Sequence, residues 1–437
     1  MNQPATPHAP PIRRRRVFYG WYLVAGSVLN NGIIAGAYFQ GFQAFFLPIL
    51  HTMGWSYTAI SGAFSLRQVE SGILGPVVGL LVDRWGPRSL IIAGAVVTGV
   101  GLMGLSQTSN LLMFYIFFLI TSIGTAASSH GVTWAVLITR WFVRRRGRAM
   151  GIATLGPLIG GLLVVVNTAL VAEFGWRTVL FVYGWLVMVI GIGLGLLVRD
   201  RPERFGYLPD NAPQDTPQLQ GAAEGRARAQ RAADAETGLS ASQVLRTRDF
   251  WVFSLFLSSA FVGTSAMMTH QLAYFRSEGL STGAAATTVL LASVASGAGR
   301  MGAGALVDLM DYRYVLAGVT LALSLSFVYL ALAPVTTLVQ ALPFAVIFGI
   351  GWGSTVPVRP VIAALTFGDR SIGAIIGLMQ LSALLGGIMG PLIMGVIFDN
   401  TGSYHASLWV LAIISVMVLP LLFLMKPRSQ LPLSPTR

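Results

Sequence analysis

SYTAISGAFSLRQVESGILGPVVGLLVDRWGPR, Ser56–Arg88, decides how the rest of the chain is read. A polar turn, Gly54–Ser56, leads into it, and the run from Tyr57 to Val82 is mostly apolar. At ~1.5 Å per helical residue such a run crosses a bilayer core of ~30 Å with some tilt. It closes abruptly on DRWGPR, Asp83–Arg88. Near its middle stand Arg67 and Glu70, three residues apart and so on one helical face. Ionisable groups at bilayer depth are costly and normally face a protein interior or a water-filled path. The stretch is therefore both a membrane span and a candidate site.

The rest of the chain follows the same pattern. Its 437 residues are 54% hydrophobic and 10% charged, against about 25% charged for soluble proteins, which places it among polytopic membrane proteins. Hydropathy predicts twelve spans, at 18–49, 57–82, 89–107, 111–139, 147–172, 176–198, 250–275, 282–307, 314–333, 338–366, 372–398 and 405–425. Residues 199–249 are rich in Arg, Ala, Gln, Pro and Asp and read as a cytoplasmic linker between two six-helix bundles, 18–198 and 250–425. Tails at 1–17 and 426–437 flank them. The apolar run after Arg13–Arg16 is too long for a cleaved signal peptide and is read as the first span.

The net charge of +13 is distributed by topology. Of 29 Lys and Arg, 24 fall in the two tails and in alternate loops or at their edges, Arg177 and Arg276 fall at the other loops, and Arg67, Arg300 and Arg359 lie deep inside spans. That bias predicts both termini on the cytoplasmic side of a cytoplasmic membrane. No basic face is interleaved with stacking aromatics, so nucleic acid is not an expected partner. Cysteine is absent, and neither HExxH nor GxxxxGK[ST] occurs. No enzyme activity, metal or cofactor is expected.

An internal repeat divides the chain in two. GWS at Gly54–Ser56 recurs as GLS at Gly279–Ser281, and GLLVD at Gly79–Asp83 recurs as GALVD at Gly304–Asp308, each 225 residues on. Gly151, Gly160 and Gly161 echo in Gly377, Gly386 and Gly387 at an offset of 226. Two parallel halves of common plan place a site between them near the midplane.

GLLVDRWGPRSL resembles the loop signature of the major facilitator superfamily. YGW at Tyr19–Trp21, RWFVRRRGRAMGIATLG at Arg140–Gly156, FGWR at Phe174–Arg177, GRMGAGALVD at Gly299–Asp308 and DNTGSY at Asp399–Tyr404 resemble its monocarboxylate and oxalate/formate transporter branch. The resemblance implies an all-α integral membrane protein of twelve transmembrane helices in two pseudo-symmetric bundles. It also implies that Arg300 binds a substrate carboxylate. Such transporters often place an aspartate four residues earlier as its proton partner; here Ser296 stands there. Relatives in the monocarboxylate group commonly carry a lysine where Gln40 falls.

The residues themselves point to an anion. Three arginines and one carboxylate at membrane depth leave surplus positive charge, and a guanidinium can grip a carboxylate through two parallel hydrogen bonds. Arg300, Arg67 and Arg359 are the candidate binding residues, with Gln40, Asn31, Tyr38 and His130 as neutral or titratable neighbours. Arg67 and Glu70 either neutralise each other, or Glu70 is the proton-coupling group that releases Arg67 for substrate. Arg359, beside Pro360, either satisfies freed carbonyls or binds ligand. Asp83 can cap the helix beginning near Ser371, and Asp308 the one near Gly147, as a cytoplasmic gate reinforced by Arg84, Arg88 and Arg140. His270 is expected as a gate or wall residue. The expectation is a monomeric secondary transporter of a small organic anion, a mono- or dicarboxylate, by proton symport or anion exchange. The alternatives are a proton-coupled exporter of amphipathic compounds and a transporter-like sensor.

Overall fold

The structure, a computed structural model, describes residues 18–128, 133–142, 146–153, 155–200, 239–333, 335–367 and 372–426 of the chain. The first helix, α1, spans Tyr19–Met53 and contains one wide turn, Ala35–Phe39, before it resumes. Helix then runs from Tyr57 to Ser106, interrupted at the single residue Gly86, with φ 80° and ψ 158°. A side chain rarely adopts that backbone, and Pro87 next to it suits the first turn of a new helix. Asp200 completes the elbow, its Oδ1 accepting the Arg88 N–H at 2.9 Å. The elbow separates α2 (57–85) from α3 (87–106).

A second elbow at Gly175, φ 76°, divides α5 (146–153 and 156–174) from α6 (176–197). Between them lies α4, Leu111–Trp141, described as Leu111–Ser128 and Thr133–Trp141. The second half holds α7 (Arg248–Ser277), α8 (Thr282–Leu309), α9 (Tyr312–Leu332), α10 (Leu338–Phe367), α11 (Ile372–Thr401) and α12 (His405–Leu422). Among the described residues ten stretches are long and apolar enough to cross a membrane. That count takes α5 and α6 together and omits α2; divided at the two elbows, the described helices form twelve long rods.

The repeat is visible as matching helix starts. Gly54 (φ 66°) ends α1 and the Ser56 side chain accepts the Ala59 N–H at 3.1 Å to start α2. Gly279 (φ 93°) ends α7 and Ser281 accepts the Ala284 N–H at 3.2 Å to start α8. Each helix packs chiefly on its own half, and the halves meet along α2–α11, α5–α8 and α1–α7. The helix ends carrying Arg84, Arg88, Arg140 and Arg148 form a basic end. The turns at Gly54, Gly175 and Gly279 lie at the far end.

Candidate functional site

The wide turn in α1 places the site's centre. Gln40 and Gly41 both donate their N–H to Ala35 O, at 2.9 and 3.0 Å, instead of continuing the helical register. Asn167 of α5 donates to the Gly36 carbonyl at 2.8 Å and accepts the Tyr183 hydroxyl of α6 at 2.5 Å. Carbonyls freed by an irregular turn at membrane depth need such partners. Only glycine fits at 41, since a Cβ there would stand 1.4 Å from Gly36 O. The break turns Gln40 across the halves, and its Nε2 donates to Ser293 Oγ of α8 at 2.7 Å. Its Oε1 is buried without a partner.

Below this contact the halves part. A cavity of about 630 Å³ extends from Ser293 toward the basic end, where exposed Arg148 and Met301 stand at its mouth. Its α8 wall carries Ser293, Ser296 and Arg300; the α5 side is apolar, with Ile152, Leu155 and Leu158. Arg300 is fixed by close backbone packing of α8 on α10. A Cβ on Gly299 would lie 2.3 Å from Ile350 O, and Ser354 Oγ donates to Gly299 O at 3.1 Å. The Trp352 ring lies 6.0 Å from the Arg300 guanidinium carbon. The Arg300 guanidinium and two serines on one side, a mostly apolar surface opposite and Arg148 at the mouth suit an anion that carries an apolar body.

Arg67 and Glu70 share a helix face as expected, but they do not form an ion pair. Arg67 lies in an aromatic box of Phe39 (4.9 Å), Phe64 (5.4 Å) and Tyr38 (5.5 Å), a cation–π setting. Its Nε and Nη1 are buried without hydrogen-bond partners. Glu70 turns instead to α4, where the Ser122 hydroxyl donates to its Oε2, leaving Oε1 buried and unpartnered. The self-neutralising pair is thus replaced by two separate anchors, because the α1 break supplies aromatic faces to Arg67 and α4 supplies a donor to Glu70. Tyr38 is fully buried and donates to Phe118 O at 3.0 Å, so it serves as a wall of the box.

Arg359 donates Nη1 to Gln380 Oε1 of α11 and stands 5.2 Å from the Phe261 ring of α7. Its Nε is buried and unpartnered. Asn31 bonds Ser27 on its own helix at 3.0 Å. Neither residue lines the cavity, nor do Arg67 and Tyr38; Gln40 reaches its wall through Ser293. His130, Ser371 and the side chains of Asp83 and Asp308 lie outside the described residues. Of the other expected gate residues, Arg84 and Arg88 are exposed and Arg140 is half-buried. Arg88 gives its amide to Asp200, within its own half.

Apart from naming His270 as a gate or wall residue, the sequence reading does not anticipate the closure of the far end. There Asp399 of α11 accepts from the start of α2, and His270 of α7 meets Ser61 at 2.9 Å. Ser65 donates to Ile388 O at 2.8 Å, and Gln43 Oε1 accepts the Leu272 N–H at 3.2 Å. Asp399 opens the DNTGSY run and Ser61 and Ser65 follow the GWS turn; those motifs were the available signal. Among the described residues the halves meet at the far end, and the cavity opens toward the basic end.

Two bundles of long apolar rods, with a cavity between α1 and α5 of one and α8 of the other, are the architecture of a membrane transporter. The family description Major Facilitator Superfamily matches residues 28–389, and the chain belongs to that family. It is 25% identical over 400 residues to monocarboxylate transporter 13 of Bos taurus, covering 89% of this chain and 85% of that one. It is likewise 25% identical over 403 residues to an MFS-type transporter of Gibberella moniliformis, covering 90% and 87%. Among solved structures it resembles a bacterial homologue of the human lysosomal transporter Spinster in an inward-facing, unoccupied conformation. The TM-score is 0.69 at 16% identity, covering 95% of this chain and 97% of that one. The chain is a multi-pass membrane transporter of a small molecule.

Proposed function

We propose that the protein is a secondary active transporter of a small organic anion, a monocarboxylate with an apolar body. The observation that carries this reading is Arg300 on the wall of a 630 Å³ cavity between the halves, opposite an apolar surface. The likeness to a monocarboxylate transporter supports it. The basic end faces the cytoplasm, which puts the cavity in an inward-open state and both termini inside. Substrate is held by Arg300 with Ser293 and Ser296, and rocking of the halves exposes it to each side in turn. Coupling runs through proton uptake on Glu70 or through exchange of one anion for another.

Arg300→Ala in proteoliposomes should lower uptake of a branched or aromatic monocarboxylate by roughly 10–100-fold in kcat/KM, the effect of losing a charged hydrogen-bonding partner. Arg300→Lys should retain a fraction, because a point charge replaces a two-pronged grip. Full transport by a normally folded Arg300→Ala protein would overturn the assignment.

A further inference from the structure

The first turn of α2 holds a carboxylate from the other half. Ser56 caps Ala59, but the preceding amides of Tyr57 and Thr58 donate to Asp399 of α11, at 3.0 Å to Oδ1 and 2.8 Å to Oδ2. The Thr58 hydroxyl donates to Oδ2 as well. A helix leaves its first amides unsatisfied and its N-terminus partly positive, so a carboxylate there gains twice. Gly395, one turn back on α11, permits the approach: a Cβ would lie 2.9 Å from Ser61 Oγ and 3.1 Å from Thr58 N. The Tyr57 and Phe398 rings pack at 4.2 Å beside it.

The contact continues inward at each turn of α2. His270, fully buried on α7, has Nε2 2.9 Å from Ser61 Oγ and 3.1 Å from Pro391 O, and Nδ1 3.1 Å from the Tyr404 hydroxyl. Ser61 already donates its own proton to Tyr57 O at 2.6 Å. A neutral ring protonated on Nε2, accepting from Tyr404 on Nδ1, therefore satisfies every group in the cluster. Ser65 then donates to Ile388 O, and Gln68 packs against Gly387. These groups join α2 to α7 and α11 across the boundary between halves.

We infer that Asp399 is the positioning residue that holds the far side shut, with the His270–Ser61–Tyr404 cluster as the second rung of the same clasp. The inference rests on the alternating-access reading. It assigns to DNTGSY and to the turn after Gly54 one joint task. It also gives the α2–α11 pair a carboxylate at each end. Asp399 at the end of α11 caps α2 here, and Asp83 at the end of α2 is the expected cap of α11 at the basic end.

The chain has no cysteine, so introduced cysteines are the sole labelling sites. Spin labels at Ser109→Cys in one half and Thr336→Cys in the other, both exposed at the far end, report the gap between the halves. In lipid, Asp399→Asn should raise the ratio of far-open to far-closed populations by about tenfold, the effect of losing a charged cap. Asp399→Glu should restore much of the closed population, and KM for cargo offered from the far side should fall in Asp399→Asn. An unchanged distance distribution in folded Asp399→Asn would overturn the inference. Should that variant not fold, Thr58→Val, which removes only the hydroxyl donor, must show a smaller shift in the same direction; no shift there overturns it equally. The distances are read without cargo, so they fail or succeed independently of Arg300.

Discussion

Arg67 and Glu70 show what a spacing can and cannot say. Their separation of three residues puts them on one face, and the structure buries polar atoms of both side chains there. Their partners come from elsewhere in the chain: the box around Arg67 from the α1 break, and the donor to Glu70 from α4. Neither is visible from α2 alone. With the carboxylate held apart from the guanidinium, its charge can change without dismantling the Arg67 box. Glu70→Gln is expected to abolish uptake driven by a pH gradient while exchange of labelled for unlabelled anion continues in the same vesicles. Uptake that still follows the pH gradient would remove Glu70 from coupling and leave exchange as the mode. Arg300, by contrast, was legible in the sequence through its motif and depth, and the structure sets it on the cavity wall.

At the scale of elements, the sequence reading treated 18–49 as one uninterrupted span. Hydropathy is even across Ala35–Phe39 and cannot register a change in hydrogen-bond pattern. Gly36 and Gly41 were the visible marks, and the decisive partner, Asn167, lies 131 residues from the carbonyl it satisfies. That side chain holds the turn which aims Gln40 at the other half. Asn167→Ala should leave a buried carbonyl and the Tyr183 hydroxyl unpaired, costing about 1–3 kcal/mol by the usual penalty for orphaned groups. Thermal unfolding in detergent would register this as a lower Tm, whereas Asn31→Ala, which removes one bond within α1, should shift it less. Helix starts were easier to read, because Gly54, Ser56, Gly279 and Ser281 act locally on the residues beside them.

The whole molecule was largely legible. Composition excluded soluble folds, the 225-residue repeat implied two halves, and charge bias implied an orientation. The state of the molecule was not legible. Closure at one end depends on contacts such as Thr58–Asp399, 341 residues apart, that no local pattern encodes. Orientation is open to a direct check. A membrane-impermeant maleimide applied to intact cells should label Ser109→Cys, at the far end, and spare Ser89→Cys, at the basic end, until the membrane is permeabilised. The reverse pattern would invert the topology and with it the direction in which the cavity faces.

The elbows at Gly86 and Gly175 have a consequence for chain length. Each joins two rods through a single residue, so neither provides slack. Inserting one residue into the helical turn next to either elbow would rotate the packed faces on one side of it by about 100° and advance them by about 1.5 Å, swinging them toward lipid. Length changes are therefore barred at these two turns, and α2 with α3, like α5 with α6, must travel as one piece when the halves rock.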